Sequence, residues 1–372
     1  MTRRRVLFVS RTRYRLPLEG SLRRKWQLLG EEFDVRVLAT AADARDADNG
    51  TFRLVGTHRP QMAGPEFYLA LPFRIARELR EFRPHVVVAQ SPYESACVLA
   101  ARRLVGSETR LVLEVHGDWR TATRLYGSPL RRLVEPVSRA VARHAIRHAD
   151  AVRTLSPFTT RLVREVGVEP TATFTAYVDL TAFSSRPRAP LPEDQAALFV
   201  GVLERYKDVA TLVAAWRSVA RRVPEARLHV IGRGRERAVV EALVHELPEQ
   251  VTWEEQVAAE AVARALDTAV VLLLPSRSEG LPRIVMEAFA RGRPVVGSRA
   301  GGIPDIVEDG VNGLLVEPQD PEALAAAVAR VLTDRGLAER LAAGAERSAE
   351  RWLQSPIEYT AQLRSLVDEL CA

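Results

Sequence analysis

Lysine is almost absent from this chain: of 53 basic residues only Lys25 and Lys207 are lysines, and the other 51 are arginine. Such a bias reads first as genome composition, and it means that each surviving lysine asks for a reason. A phosphate-binding P-loop needs Gly-Lys-Ser/Thr, whereas Lys25 follows Arg24 and Lys207 follows Tyr206, so no Walker-type NTPase is encoded. Cysteine is as scarce. Cys97 and Cys371 are too few for a disulfide framework or a cysteine zinc site, which suits a reducing cytosol. No apolar run approaches the ~18 residues of a membrane helix, and the stretch 1–10 has only Val6–Val9 as its apolar part, so neither a span nor a signal peptide is expected. Aromatic residues make up 6% and are not interleaved with basic ones, and there is no zinc or RNA motif, so no nucleic-acid partner is expected.

What is present is a soluble composition, 47% hydrophobic and 27% charged. A length of 372 residues calls for two domains, at about 150–200 residues each. The net charge of +6 conceals a split: residues 1–190 hold 32 basic and 19 acidic side chains, net +13, and residues 191–372 hold 21 and 28, net −7. A basic half fits an anionic acceptor or a membrane surface, or the commoner case of a solvated arginine coat.

Short β-branched runs alternate with amphipathic segments throughout. Strands are expected at Arg5–Val9, Asp34–Leu38, His85–Ala89, Arg110–Val115, Ala151–Leu155 and Thr173–Ala176, with helical patterns such as Glu66–Phe82 and Tyr93–Leu104 between them. The second half repeats this at Ala197–Gly201, Leu228–Ile231, Val270–Leu274, Pro294–Gly297 and Gly313–Val316. Continuous apolar runs such as Val270–Leu274 are what parallel strands covered on both faces require. The expected fold is therefore α/β, with two doubly wound sheets. Arg186–Pro192, with three prolines, is the expected linker, giving domains at 1–188 and 189–355 followed by a helix at 356–372 packing back on the first domain. Open parallel sheets bind ligands beyond the carboxyl ends of their strands, so two such sheets predict a cleft between domains.

The densest signal runs from Ser276 to Val307. A buried strand ends at Pro275, and a helix is expected to begin near Leu281–Pro282, proline being suited to the first helical position. The backbone of Gly280, Leu281, Pro282 and Arg283 is assigned to an anion site at that helix start, where N–H groups suit phosphate. Glu279 lies just outside the helix and Glu287 about a turn and a half inside it, where both can accept hydrogen bonds from sugar hydroxyls. A Glu-x7-Glu pair alone occurs by chance; the glycines and prolines around it carry the reading.

Glu279-Gly-Leu-Pro…Glu287-Ala, then Gly292-x-Pro-Val-Val, Gly301-Gly-Ile-Pro and Asn312-Gly-Leu-Leu-Val resemble the retaining GT-B glycosyltransferases of the large group 1 family, also called family 4. The resemblance is specific across roughly residues 197–320 and generic before that. It implies two Rossmann-like domains facing across an interdomain cleft, a nucleoside-diphosphate sugar held mainly by the second, and an acceptor shaped mainly by the first. It also implies no metal and no cofactor, so cations and helix dipoles stabilise the leaving diphosphate. Family members carry Gly-Arg-x-x-x-x-Lys after the first strand of the second domain; this chain reads Gly201-Val-Leu-Glu-Arg-Tyr-Lys207. Lys207 is thereby assigned to the diphosphate. Val202 stands where the family's arginine would, and Arg205 is the candidate second cation. His116, after the fourth strand, is assigned to the donor sugar, Gly20 to close approach of the donor phosphates, and Gly232 to the nucleotide-side turn. Trp253-Glu-Glu255 leaves the base open, and the oligomeric state is open as well.

The expected activity is retaining, metal-independent transfer of a sugar from a UDP- or GDP-linked donor to an acceptor hydroxyl, in glycolipid, surface polysaccharide or secondary-metabolite synthesis. The expected place is the cytoplasm, peripheral at the inner membrane face where the acceptor is membrane-linked. The alternatives are a non-catalytic nucleotide-sugar binder and a nucleotide-sugar epimerase on the same fold. A phosphorylase would need a cofactor lysine late in the chain, and none follows Lys207. Two patterns have plainer readings. His144 and His148 have zinc-like spacing, but Ala145 stands where a metalloprotease needs glutamate. Arg139, Arg143 and Arg147 could meet anionic lipid, although basic helix faces are ordinary.

Overall fold

The computed structural model describes residues 3–56, 63–121, 134–352 and 355–372. The chain divides into two units, Met1–Tyr177 with Ser355–Ala372, and Val178–Gln354. Each is built on one sheet with helices on both faces.

The first unit contains β1 (Arg4–Tyr14), β2 (Phe33–Ala41), β3 (Ala47–Asp48), β4 (Phe52–Val55), β5 (Val86–Ala89), β6 (Arg110–Val115), β7 (Ala151–Thr154) and β8 (Ala172–Thr173), in the order β3-β4-β2-β1-β5-β6-β7-β8. All neighbours are parallel except β3 and β4. The alternation of side chains across a strand explains the apolar runs. In β1, Val6 and Phe8 enter the core beneath Trp26 and Leu363, while Leu7 and Val9 enter the opposite core with Leu71 and Ile75. The helix Pro356–Leu370 belongs to this unit: Tyr359, Leu363, Leu366 and Val367 are buried in the first of those cores. Its start carries a capping box, with Ser355 Oγ accepting from the Glu358 N–H and the Glu358 carboxylate accepting from the Ser355 N–H.

The second unit holds β9 (Ala196–Val200), β10 (Arg227–Ile231), β11 (Val251–Glu254), β12 (Val271–Leu274), β13 (Val295–Ser298) and β14 (Gly313–Val316), all parallel, in the order β11-β10-β9-β12-β13-β14. The expected strands lie within one to three residues of these, apart from β1, which runs on to Tyr14 through a register shift that pairs Arg13 with Thr40. Three short strands, β3, β4 and β11, lie outside the expected set. β3 and β11 are edge strands. In β4 only Phe52 and Leu54 are buried, an alternation too short to register as a pattern.

The proline-rich stretch Arg186–Pro192 is not the crossing point between units. The Arg291 guanidinium donates to the carbonyls of Phe183 (3.1 Å), Arg186 (3.0 Å) and Pro187 (2.8 Å), and Arg293 donates to those of Ala189 and Pro190, both at 3.0 Å. Both arginines are buried. A proline-rich segment carries more carbonyl acceptors than N–H donors, and two buried forks of donors satisfy the surplus. The stretch is thus strapped to the second unit, and the chain passes between units after Tyr177 rather than at 188.

Candidate active site

In the second unit the expected residues gather at the carboxyl ends of β9, β10, β12 and β13. The loop after β9 and the loop after β10 touch through glycine. A Cβ on Gly232 would stand 1.9 Å from the Gly201 carbonyl oxygen, and one on Gly234 2.2 Å from that of Leu203. The Leu203 N–H donates to the Arg233 carbonyl at 2.9 Å and the Gly232 N–H to the Glu254 carbonyl at 2.9 Å. Gly232 is therefore required for loop-on-loop packing.

The β9 loop ends in a short 3₁₀ turn, Arg205–Lys207, which delivers Lys207 to the β12 loop. Lys207 Nζ donates to Glu279 Oε1 at 2.6 Å, and Ser276 Oγ donates to the same oxygen at 2.9 Å. Lys207 is only 7% exposed. The Glu279 backbone is held as well: the Gly302 N–H donates to the Glu279 carbonyl at 2.9 Å, and Gly301, at φ +58°, passes so close that a Cβ would lie 2.3 Å from that oxygen. Ser298 Oγ donates to the Ser276 carbonyl. The Gly301-Gly302 pair is thus the support of Glu279.

A second link joins the same loops. The Arg277 N–H donates to the Tyr206 carbonyl at 2.7 Å, and Arg277 Nη2 to Asp208 Oδ1 at 2.5 Å. Asp208 is buried with φ +54°. Burial raises the pKa of nearby Glu236, against the lowering pull of the Arg277 charge. Arg205 is exposed, and Val202 is 44% exposed, an apolar side chain in solvent where the family pattern has a cation.

The helix after the β12 loop is Arg283–Ala290, beginning one residue after the expected Leu281–Pro282 start, so that Pro282 is its N-cap rather than its first residue, with no side-chain cap. Proline carries no N–H, so of the four residues assigned to the anion site only Gly280, Leu281 and Arg283 have a backbone N–H. Glu287, 8% exposed, lies on the buried side of this helix, paired with Arg283 Nε at 2.7 Å. Burial raises its pKa, and Arg283 pulls the other way.

In the first unit, His116 follows β6 and is exposed, its Nε2 3.0 Å from Glu114 Oε2. Gly20 opens the helix Gly20–Glu32 at φ +51°, and a Cβ there would meet nothing within 4 Å. Glycine is needed for that conformation and no protein group crowds it. Lys25 lies over aromatic rings, its Nζ 5.0 Å from the Trp26 centroid and 5.9 Å from that of Tyr359. His148 Nδ1 is 2.8 Å from the His144 carbonyl, with the two ring centroids 4.1 Å apart and the rings tilted by 31°, an ordinary helical contact. Arg139 pairs with Glu135 at 2.5 Å and Arg147 donates to the Val166 carbonyl at 2.9 Å, so two of the three arginines of that face are engaged by the protein. Sequence reasoning missed Ser276, Asp208, Arg277, Glu114 and Arg153. Glu114 alone left a signal, a carboxylate interrupting the apolar run Leu111–Val115.

Comparison with known proteins matches the family described as glycosyl transferases group 1 over residues 183–348 and the family described as glycosyltransferase family 4 over residues 25–177. The chain belongs to the group 1 glycosyltransferases. Among similar proteins, an α-D-kanosaminyltransferase of Streptomyces kanamyceticus is 27% identical over 63% of this chain and 64% of its own length. A D-inositol 3-phosphate glycosyltransferase of Xylanimonas cellulosilytica is 30% identical over 70% of this chain and 57% of its own. A sulfoquinovosyl transferase of Arabidopsis thaliana is 33% identical over 43% of this chain and 31% of its own. The matched stretch thus spans less than two thirds of each of these relatives. Among solved structures, the sucrose-phosphate synthase of Thermosynechococcus elongatus superposes with a TM-score of 0.80 at 22% identity over 99% of both chains. The Anabaena protein HepE, solved with UDP and glucose, superposes with a TM-score of 0.70 at 18% identity over 98% of this chain and 99% of its own. These likenesses establish the GT-B fold with its two Rossmann-like sheets. In this chain Glu279 lies in the turn between β12 and the helix Arg283–Ala290, and Glu287 lies within that helix.

Proposed function

We propose that this group 1 glycosyltransferase moves a sugar from a UDP- or GDP-linked donor to an acceptor hydroxyl, with retention at the anomeric carbon and without a bound metal. The observation that carries the reading is the Lys207–Glu279–Ser276 cluster: a lysine kept in an arginine-rich chain, nearly buried, and held by a carboxylate on a neighbouring loop. In the reaction the bond from the anomeric carbon to the diphosphate oxygen breaks, the bond to the acceptor oxygen forms on the same face, and the acceptor proton leaves with the diphosphate. Lys207 and the Gly280, Leu281 and Arg283 amides meet the negative charge that develops on the diphosphate, with Arg205 as the second cation. Glu279 holds donor-sugar hydroxyls, Glu287 the ribose, and His116 a sugar hydroxyl. Gly20 leaves room for the donor phosphates. A basic first half supports an anionic or membrane-linked acceptor, and one relative is named for a phosphorylated one. Two unpaired cysteines fit a cytoplasmic site of action.

The test is a thermal-shift screen against UDP, GDP, ADP and dTDP, followed by turnover with the sugar of the nucleotide that binds. Lys207→Ala is expected to lower kcat by about 10²–10³. Unchanged turnover would overturn the assignment. The exposed Val202 favours a second reading, a nucleotide-sugar binder without catalysis. Binding of a nucleotide with neither transfer nor donor hydrolysis would establish that reading instead.

A further inference from the structure

Glu114 is the only acidic residue in β6, and it is 2% exposed. It stands opposite Arg153 of β7 in register, and Arg153 is fully buried. Arg153 Nη1 donates to Glu114 Oε1, while its Nη2 donates to the carbonyls of Phe174 at 3.1 Å and Thr175 at 2.6 Å. Two aromatic rings lie against the guanidinium, 3.9 Å from the Phe174 centroid and 5.4 Å from that of Tyr359. One carboxylate oxygen is therefore committed to Arg153, and the other, Oε2, lies 3.0 Å from His116 Nε2.

The protonation states follow from chemistry. Burial pushes the Glu114 pKa up, but Arg153, His116 and Lys25 outweigh it and hold the carboxyl at about 2. An ionised carboxylate only accepts hydrogen bonds, so Nε2 must carry the proton. In a neutral imidazole the other nitrogen then bears a lone pair. Among the described residues, Nδ1 of His116 takes no hydrogen bond, and the side chain is 39% exposed.

We infer that Glu114 is a positioning residue: anchored by Arg153, it sets His116 as the Nε2–H tautomer, so that Nδ1 is an acceptor for a substrate hydroxyl. This rests on the assignment of His116 to a sugar hydroxyl. It adds a direction, since His116 receives a hydrogen bond from substrate and gives none, and it specifies a hydroxyl rather than a phosphate oxygen as what His116 meets.

The test uses the full chain labelled with ¹⁵N at histidine, the His116 signals being assigned by their loss in His116→Asn. Two-bond ¹H–¹⁵N correlation at a pH where imidazoles are neutral is expected to show Nε2 protonated and Nδ1 unprotonated. In Glu114→Gln the amide can donate to Nε2, and the tautomer is expected to invert. The expected fall in kcat for that variant is about 10–100-fold, the scale for groups that orient a functional histidine, with the nucleotide-induced rise in Tm unchanged. At the exposed position 116, where folding is not at stake, His116→Asn places an acceptor near Nδ1 and is expected to keep more turnover than His116→Gln. A wild-type spectrum showing Nδ1–H, or Glu114→Gln retaining both tautomer and kcat, would overturn the inference. Should no donor be turned over, the spectra still decide the tautomer, so that outcome counts against the proposed function and not against Glu114.

Discussion

Of the two lysines in the chain, Lys207 has the donor-side role we propose for it, and Lys25 has an energetic one. Its ammonium is half-buried over Trp26 and Tyr359, and burial draws its pKa down to about 8, with Glu114 opposing and Arg153 assisting. The ordinary value is 10.5, so between about 8 and 10.5 the unfolded chain binds more protons than the folded one. Stability then rises with pH through that window, and below it the cost of burying the charge is present in full. Lys25→Met keeps the aliphatic contact with the rings and removes the charge. It is expected to raise Tm at neutral pH by roughly 2–4 °C, the scale of ~1 kcal/mol in a unit of this size. That advantage should shrink as the pH is raised from 8 to 10.5. A melting series for both proteins across that range checks it, and an advantage growing with pH would show that Lys25 is stabilised by its neighbours, not penalised by burial.

At the scale of elements, the site depends on close approach between loops, and Gly301 is where this is most exposed to test. Two costs separate at that position. Any L-residue at φ +58° is strained, and a Cβ there would also lie 2.3 Å from the Glu279 carbonyl oxygen. Gly310 has φ +76° with nothing within 4 Å, so it carries the first cost alone. Gly301→Ala is expected to destabilise by about 1–3 kcal/mol and Gly310→Ala by ~1 kcal/mol. Only the first should lower kcat, because it moves the backbone that carries Glu279. Denaturant melts and turnover of the two variants side by side check this, and equal effects on kcat would separate Glu279 from its glycine support. The same contrast explains what the sequence shows and what it hides. Long apolar strands such as Val270–Leu274, and the glycines and prolines that punctuate them, are local signals, so the two sheets and the Glu279 turn are readable. Arg277 acts through Asp208, 69 positions away, and Arg153 through Glu114, 39 positions away, and no local pattern encodes those distances. Arg186–Pro192 misleads for a related reason: its composition is that of a linker, and only the buried Arg291 and Arg293, about a hundred positions on, turn it into a strap.

At the scale of the whole molecule, the chain leaves the first unit after Tyr177 and returns to it at Ser355, so the first unit is completed by a segment that follows the whole of the second. The returning helix is structural in a specific sense. Leu363 is 0% exposed among Val6, Phe8 and Trp26, Arg364 pairs with Glu32 at 2.7 Å, and Tyr359 covers the guanidinium of Arg153, which in turn holds Glu114. Removing a fully buried leucine side chain costs about 2–5 kcal/mol. Leu363→Ala should therefore destabilise the first unit by about that amount, while the nucleotide-induced rise in Tm, which reports the second unit, is expected to persist. Because Tyr359 rides on the same helix, the variant should also broaden the His116 signals, whereas Leu341→Ala, a fully buried leucine of the second unit, should leave them sharp. Calorimetry with and without the bound nucleotide, together with the histidine spectra, checks the two expectations. A single transition lowered equally by both substitutions, with His116 unaffected in either, would mean that the C-terminal helix supports the fold without reaching the Glu114–His116 pair.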